Sequence, residues 1–155
     1  MLVPRTNYLN AMIASELEDT VGEEHVSVRT SDKTAYSTDY YWVPEVWHDR
    51  GETNPAPDFV VHPGTTEEVS KVLRIANTHR IPVVPWGGGS GSQGGAVPMY
   101  HGIILDMKRM NRILEIDDVS LTVTVESGIN TQHLEWELEQ RGWSTMHYPA
   151  SIACA

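Results

Sequence analysis

Residues 85–98 read PWGGGSGSQGGAVP, with glycine at 87, 88, 89, 91, 94 and 95 and hydroxyls at Ser90 and Ser92. Glycine loses more backbone freedom on ordering than any other residue, so six of them in fourteen positions require a compensating interaction. A flexible linker is one use of such a run, and it would lie in polar surroundings. A backbone cradle is the other. There, successive N–H groups converge on an anion, and the missing Cβ atoms let the ligand approach. The apolar runs 81–84 and 103–105 make the glycines a connection between two core strands, which favours the cradle.

More specific loops fail on their context. Gly89-Ser90-Gly91-Ser92-Gln93-Gly94 fits G-x-G-x-x-G, but that fingerprint must open a helix. Pro98, Tyr100 and Gly102 cannot sustain one here. A Walker A loop would need Gly-Lys-Ser/Thr, which is absent. A nucleophile elbow would need glycine two residues either side of a serine; Ser90 lacks it at 92 and Ser92 lacks it at 90. What remains is an anion nest without a helix. No Lys or Arg lies within 85–98, so neutral donors carry the binding, which suits a cofactor held in a closed site. The seven histidines and the one cysteine, Cys154, show no metal-ligand spacing, so no metal site is expected. His62 and His101 flank the loop and are expected to act as structural hydrogen-bonders.

Regular elements must position this loop. Over 6–21, Leu9, Met12, Ile13 and Leu17 share a helical face, with Thr6 as cap and Gly22 as stop. Residues 25–29 read as a short strand. Residues 31–58 carry Tyr36, Tyr40, Tyr41, Trp42 and Trp47 without a period and are expected to be irregular, packing their aromatics on the domain. Residues 59–61 form a buried-type strand. Thr65 and Glu68 form a capping box, and Val69, Val72, Leu73 and Ala76 make a helical stripe. A second strand follows at 81–84, and this strand–helix–strand unit favours parallel pairing. Residues 102–106 form another strand. Residues 112–116 and 121–126 read as an antiparallel pair, in which Leu121, Val123 and Val125 alternate with threonines. Asn130 or Thr131 caps a helix through Arg141, with Leu134 and Leu138 inward and Gly142 ending it.

The chain of 155 residues is long enough for one domain with a real core, and its composition is that of a globular protein. The net charge of −10 repels phosphate backbones, and no basic stripe appears, so nucleic acid is not an expected partner. No apolar run approaches the ~20 residues of a membrane span, and no basic start precedes an apolar stretch as in a secretory signal. A single cysteine suits a reducing cytoplasm, with attachment to the periphery of a membrane left open.

Three segments together carry a resemblance. They are Val61-His62-Pro63-Gly64-Thr65-Thr66-Glu67-Glu68-Val69, the loop from Val84 through Gly94-Gly95-Ala96-Val97-Pro98, and Ile104-Leu105-Asp106-Met107-Lys108-Arg109-Met110-Asn111-Arg112-Ile113-Leu114. In this order they resemble the first part of the FAD-binding domain of the vanillyl-alcohol oxidase / p-cresol methylhydroxylase superfamily. The similarity is greatest to its glycolate oxidase and D-lactate dehydrogenase branch, and it covers residues 58–155, about two thirds of the chain. It implies a mixed α/β (α+β) fold of the PCMH type: a small parallel βαβ portion, then the start of an antiparallel sheet. Residues 1–57 are then a helix and an aromatic-rich segment packed on that domain.

The resemblance further implies that Pro85, Trp86, Gly87, Gly88, Gly89, Ser90, Gly91 and Ser92, with Gly94 and Gly95, surround the FAD pyrophosphate. Tyr148, Pro149, Ala150 and Ser151 resemble the family's Pro-x-Ser segment beside the flavin. Some members hold FAD covalently through a histidine in or near the glycine loop; none lies in 85–98 here, so non-covalent FAD is expected. Further flavin-binding strands and a substrate cap are expected beyond residue 155. They would come from the rest of a longer flavoprotein or from a partner subunit. The cap carries the family's catalytic groups, so the resemblance assigns no catalytic residue within 1–155. The function implied is the FAD-binding portion of an oxidoreductase acting on a 2-hydroxy acid such as D-lactate or glycolate, or on a related alcohol. The alternatives are an alkyldihydroxyacetonephosphate synthase-like or aromatic-alcohol oxidase flavoprotein, and a non-catalytic assembly subunit. Alone, the chain is expected to bind FAD weakly or not at all, to associate, and to be inactive.

Overall fold

The computed structural model describes residues 7–154. Helix α1 (Asn7–Val21) buries Ile13, Leu17 and Val21, with Leu9 packed at the same face. These residues lie four apart, along one row of the helix surface. Met12 falls off that row and is exposed, against its expected place on the face. The helix stops at Gly22, which has a φ of 94° and donates to the Glu18 carbonyl at 2.8 Å. The expected cap Thr6 lies outside the described residues.

The strand expected over 25–29 is only two residues long, β1 (Val26–Ser27). Asp32 draws the chain away from the sheet by accepting from Ser27 Oγ and from the Arg29 guanidinium, and α2 (Thr30–Ala35) starts there. A second short helix, α3 (Val43–Asp49), has a proline in its first turn, where a fixed φ and a missing N–H suit the geometry. The segment 31–58 is therefore partly helical, not wholly irregular. Its aromatics also divide. Tyr36 packs against the sheet, whereas Tyr40 and Trp42 are 80% and 64% exposed.

Strand β2 (Phe59–Val61) leads to α4 (Thr66–His79). The Thr65 side chain accepts the Glu68 N–H at 3.1 Å, while the Glu68 carboxylate accepts the Gly64 N–H at 2.7 Å, one residue before the cap. Val72 and Ala76 are buried and Val69 packs beside them, but Leu73 is 45% exposed at the edge of the stripe. Strands β3 (Val83–Trp86) and β4 (Ile103–Asp106) complete a four-stranded sheet of order β1-β2-β4-β3. Only β1 is antiparallel. The strands joined through α4 are thus not neighbours, because β4 lies between them. Composition accounts for this. Every residue of β4 is buried, as a central parallel strand demands, while β3 carries Pro85, which lacks a ladder N–H and belongs at an edge.

The two faces of the sheet are covered differently. Phe59, Val61, Ile103 and Leu105 pack against α1 and α4. Val60, Ile104 and Trp86 pack against Tyr36, Val84 and Ala96, so residues 36–41 and the glycine loop form the second layer. Beyond it, β5 (Ile113–Asp117) and β6 (Thr122–Val125) pair antiparallel as a separate sheet. Leu121 takes a φ of 55° in their turn and is 66% exposed, outside the expected alternation. Helix α5 (Thr131–Glu139) is capped by Asn130, whose side chain accepts the His133 N–H at 3.1 Å. Leu134 and Leu138 are buried. The helix ends short of Arg141 because the next amides tighten to three-residue bonds: Arg141 to Leu138, and Gly142 to Glu139.

Candidate functional site

Trp86 and Asp106 end β3 and β4 as a register pair, and the Met107 N–H donates to the Trp86 carbonyl at 3.0 Å. This is the carboxyl edge of the parallel strands, where open α/β sheets receive ligands. The glycine loop leaves from that edge. Among the described residues, no backbone N–H from 87 through 95 donates to a protein acceptor; the first amide of the loop that does so is that of Ala96.

The glycines divide by what surrounds them. At Gly89 a Cβ would lie 2.3 Å from the Trp86 ring, and at Gly94 2.8 Å from the Tyr41 ring; both have positive φ. Internal packing alone requires these two. At Gly87 and Gly95 a Cβ would meet nothing within 4 Å, and neither has a positive φ. A bare backbone facing open space with unspent donors is the cradle that an anionic group fits.

Gly87 and Gly88 form one wall of a recess of about 110 Å³, faced by Lys108, Gly128, Asn130 and Cys154. Gly128 holds the opposite wall close. Its N–H donates to the Met110 carbonyl at 2.8 Å, and a Cβ there would lie 1.7 Å from the Met107 oxygen. Lys108 places its ammonium 2.9 Å from Asp106 Oδ2. An ammonium has three N–H groups, so two remain beyond that contact. Asp106 is fully buried and also accepts from the Lys108 N–H at 2.9 Å and the Tyr36 hydroxyl at 2.5 Å. Burial, then the bond to Asp106, pushes the Tyr36 hydroxyl well above the ordinary tyrosine range. His62 Nδ1 stands 3.6 Å from the same carboxylate. Burial holds this imidazole below its ordinary value despite the pull of Asp106.

Of the residues expected at the site, Gly87 and Gly88 line the recess. Trp86 is buried as the floor under Gly89, and Pro85 is exposed on the edge strand. Gly91, Ser92 and Gly95 are exposed and Ser90 is half-buried. Tyr148, Pro149, Ala150 and Ser151 do not line the recess. They belong to a segment folded over the start of α5, where Gln132 N donates to the Ile152 carbonyl at 3.2 Å and Asn130 Nδ2 to the Ala153 carbonyl at 2.8 Å. The Tyr148 hydroxyl donates to Glu135 at 2.6 Å. Glu135 is 2% exposed and also accepts from Ser144 and Thr145. These hydroxyls and the Thr145 amide hold its carboxyl at about 2. The segment reaches the recess through Cys154.

Sequence reasoning missed Lys108, Gly128 and Asn130 as recess residues. Gly128 stands between a strand and a helix cap, a spacing that marks a close turn; the place of Lys108 follows from strand order. His101 holds the Ala56 carbonyl at 2.8 Å. Arg109 holds the His62 carbonyl at 2.6 Å, and Arg112 pairs with Glu126 at 2.7 Å, so both arginines are committed to the scaffold. No group of three metal-ligating side chains occurs among the described residues, and no helix there is long and apolar enough to cross a membrane.

A family model described as FAD binding domain matches residues 57–155. Glycolate oxidase subunit GlcD of Bacillus subtilis is 42% identical over 93 residues, which is 60% of this chain and 19% of that protein. A mitochondrial D-lactate dehydrogenase (cytochrome) of Kluyveromyces lactis is 33% identical over 132 residues, 82% of this chain and 22% of its own. Among solved structures, an alkyldihydroxyacetonephosphate synthase overlays the whole chain on 31% of itself, with a TM-score of 0.84 and 25% identity. P-cresol methylhydroxylase with substrate bound overlays 97% of the chain on 28% of itself, with a TM-score of 0.81 and 25% identity. The chain spans about a fifth of the length of these curated relatives.

Proposed function

The chain belongs to the FAD binding domain family, with FAD as its cofactor, and from that premise we propose that it forms the pyrophosphate-holding part of a flavin-dependent oxidoreductase acting on a 2-hydroxy acid. The observation that carries this reading is the row of uncommitted amides from 87 through 95, whose first two residues share a recess with Lys108. The neutral N–H groups would hold the pyrophosphate oxygens. Lys108, held in place by buried Asp106, adds the one positive charge that the loop itself lacks. Gly87 and Gly95 leave room for the ligand to reach the backbone. Tyr148, Pro149, Ala150 and Ser151, in the segment anchored through Glu135 that reaches the recess at Cys154, would lie beside the flavin. Bound FAD supplies the two-electron acceptor.

The histidines flanking the loop have partners in the scaffold, His101 at the Ala56 carbonyl and His62 beside Asp106, which supports a flavin held without a covalent bond. The names of the glycolate oxidase subunit and the D-lactate dehydrogenase support a small 2-hydroxy acid as substrate. The overlay of the entire chain on an alkyldihydroxyacetonephosphate synthase favours one alternative, a flavoprotein of that kind. Substrate-reading groups then come from outside these residues, in the same polypeptide or a partner, and the chain alone is inactive. The cytoplasm suits its single cysteine, although relatives include mitochondrial proteins.

The test is a titration of the purified chain with FAD, followed by flavin fluorescence and the visible absorbance band. Weak, saturable binding that ADP displaces is the expected result. A folded chain that leaves flavin unperturbed at all concentrations would contradict the reading and favour an assembly role.

A further inference from the structure

Beyond Gly87 the glycine loop has no helix or strand of its own, and its tethers come from residues 36–41, ahead of the region matched by the family model. Asp39 is central to them. Its Oδ2 accepts the Ala96 N–H at 3.2 Å, on the returning limb of the loop. Its Oδ1 accepts the Tyr41 N–H at 2.9 Å, which turns the chain beneath the loop. On the outgoing limb, the Tyr40 N–H donates to the Gly89 carbonyl at 3.1 Å. Ring contacts add to these bonds. Tyr41 fills the space under Gly94, Trp86 fills the space under Gly89, and Tyr36 meets Trp86 edge-on at 4.9 Å.

The segment therefore grips both limbs and leaves the amides between them unspent. A carboxylate at this point repels an anion, so Asp39 is no ligand for a phosphate group. Its charge instead strengthens two hydrogen bonds to backbone donors, which a neutral side chain would hold less firmly. The residue types fit a clamp: one charged acceptor for the backbone, and aromatic rings under two glycines that admit no side chain.

We propose that Asp39 is a positioning residue of the cofactor site, fixing the separation of the two loop limbs so that the free amides converge on the diphosphate of FAD. This rests on the reading of the loop as the FAD site. It also gives the segment ahead of the matched region a part in cofactor binding. The clamp predicts a local effect. Without it the loop opens, while the sheet and α4, which share none of these bonds, keep their order.

The experiment compares the unmodified chain with Asp39→Ala and Asp39→Asn by amide hydrogen exchange and by FAD titration. Losing charged hydrogen bonds of this kind is expected to raise exchange at the bonded amides of Tyr40, Tyr41 and Ala96, and the dissociation constant for FAD, by about ten-fold. The protection of β2 and β4 should remain. Asp39→Asn keeps an acceptor for Tyr41 and should fall between the other two, which separates the loop tether from the turn beneath it. Unchanged exchange at Ala96, or unchanged FAD affinity, in Asp39→Ala overturns the inference. So does exchange raised equally in β2 and β4, which would make Asp39 a general stabiliser. An unmodified chain that protects the Tyr40 and Ala96 amides but binds no FAD overturns the proposed function instead, and the exchange comparison still decides whether Asp39 is the tether.

Discussion

The Lys108 ammonium stands 2.9 Å from the carboxylate of Asp106, a residue with no exposed surface at the end of the central strand. One partner is sealed in the core and the other reaches a recess, so the pair transmits the rigidity of the sheet to the site. Lys108→Met should weaken FAD binding about ten-fold, the scale of one charge-assisted hydrogen bond. Stability should fall by only about 1 kcal/mol, because Lys108 is half exposed and Asp106 keeps the Tyr36 hydroxyl and the Lys108 amide. Isothermal titration and chemical denaturation of the same variant check both parts; a stability loss without an affinity loss would refute the role given to the ammonium.

Asp106→Ala should behave differently. Removing the carboxylate leaves the Tyr36 hydroxyl without its acceptor and Lys108 without its anchor, at a cost of about 3 kcal/mol or more. Urea denaturation with equal slopes for the two proteins would measure it.

Two glycines of the recess separate stability from binding. Gly128→Ala places a methyl 1.7 Å from the Met107 oxygen, so the turn must move, and a loss of about 3 kcal/mol or more is expected. Gly87→Ala meets nothing within 4 Å and should unfold at the same temperature as the unmodified chain, yet bind FAD at least about ten-fold more weakly. Thermal melts with and without FAD distinguish the two.

Acid should release the end of the chain before the sheet. Glu135 has its carboxyl lowered from 4.5 to about 2 by the hydroxyls of Ser144, Thr145 and Tyr148. A lowered folded value means that the stability it lends is complete above about pH 4.5 and fades as the pH falls towards 2. Protection of the 145–154 amides, taken against their intrinsic exchange rates, should fall through that window, and Glu135→Gln should flatten the dependence. A fall already complete at pH 5 would exclude Glu135 as the cause.

The cleft of about 260 Å³ between the β5–β6 hairpin and α5, lined by Ile116, Leu121, Val123, Leu138 and Trp143, leaves apolar surface in water. Concentration-dependent association is expected, and Leu121→Lys should reduce it, since that side chain is 66% exposed and takes no part in the core. Sedimentation velocity at several concentrations would show the change.

Much of this was legible in the residues, for local reasons. The capping box at Thr65, the strand at 59–61, the hairpin and the Asn130 cap are set by neighbours within a few positions, and each stands as the sequence implies. Met12 and Leu73 lie at the margins of their stripes, where periodicity cannot say how far the covering layer extends. The short helices within 31–58 are too brief to show a repeat. The order β2-β4-β3 depends on which strand is most completely buried, a global property, and the same order brings Lys108 beside Gly87 and Gly88. The glycine loop was visible as a connection between two core strands, but its clamp was not, because Asp39 lies 57 positions away from Ala96.

Pro85 has one further effect. The outer edge of the four-stranded sheet is β3, where this residue offers no N–H, and the opposite edge is the two-residue β1. Neither border is a template on which a foreign strand could register, so the sheet resists runaway polymerisation through its backbone. The two-stranded β5–β6 ribbon has no such guard. Any strand that extends this chain's β-structure, from the same polypeptide or another, is thereby steered to the ribbon and away from the sheet that carries the glycine loop.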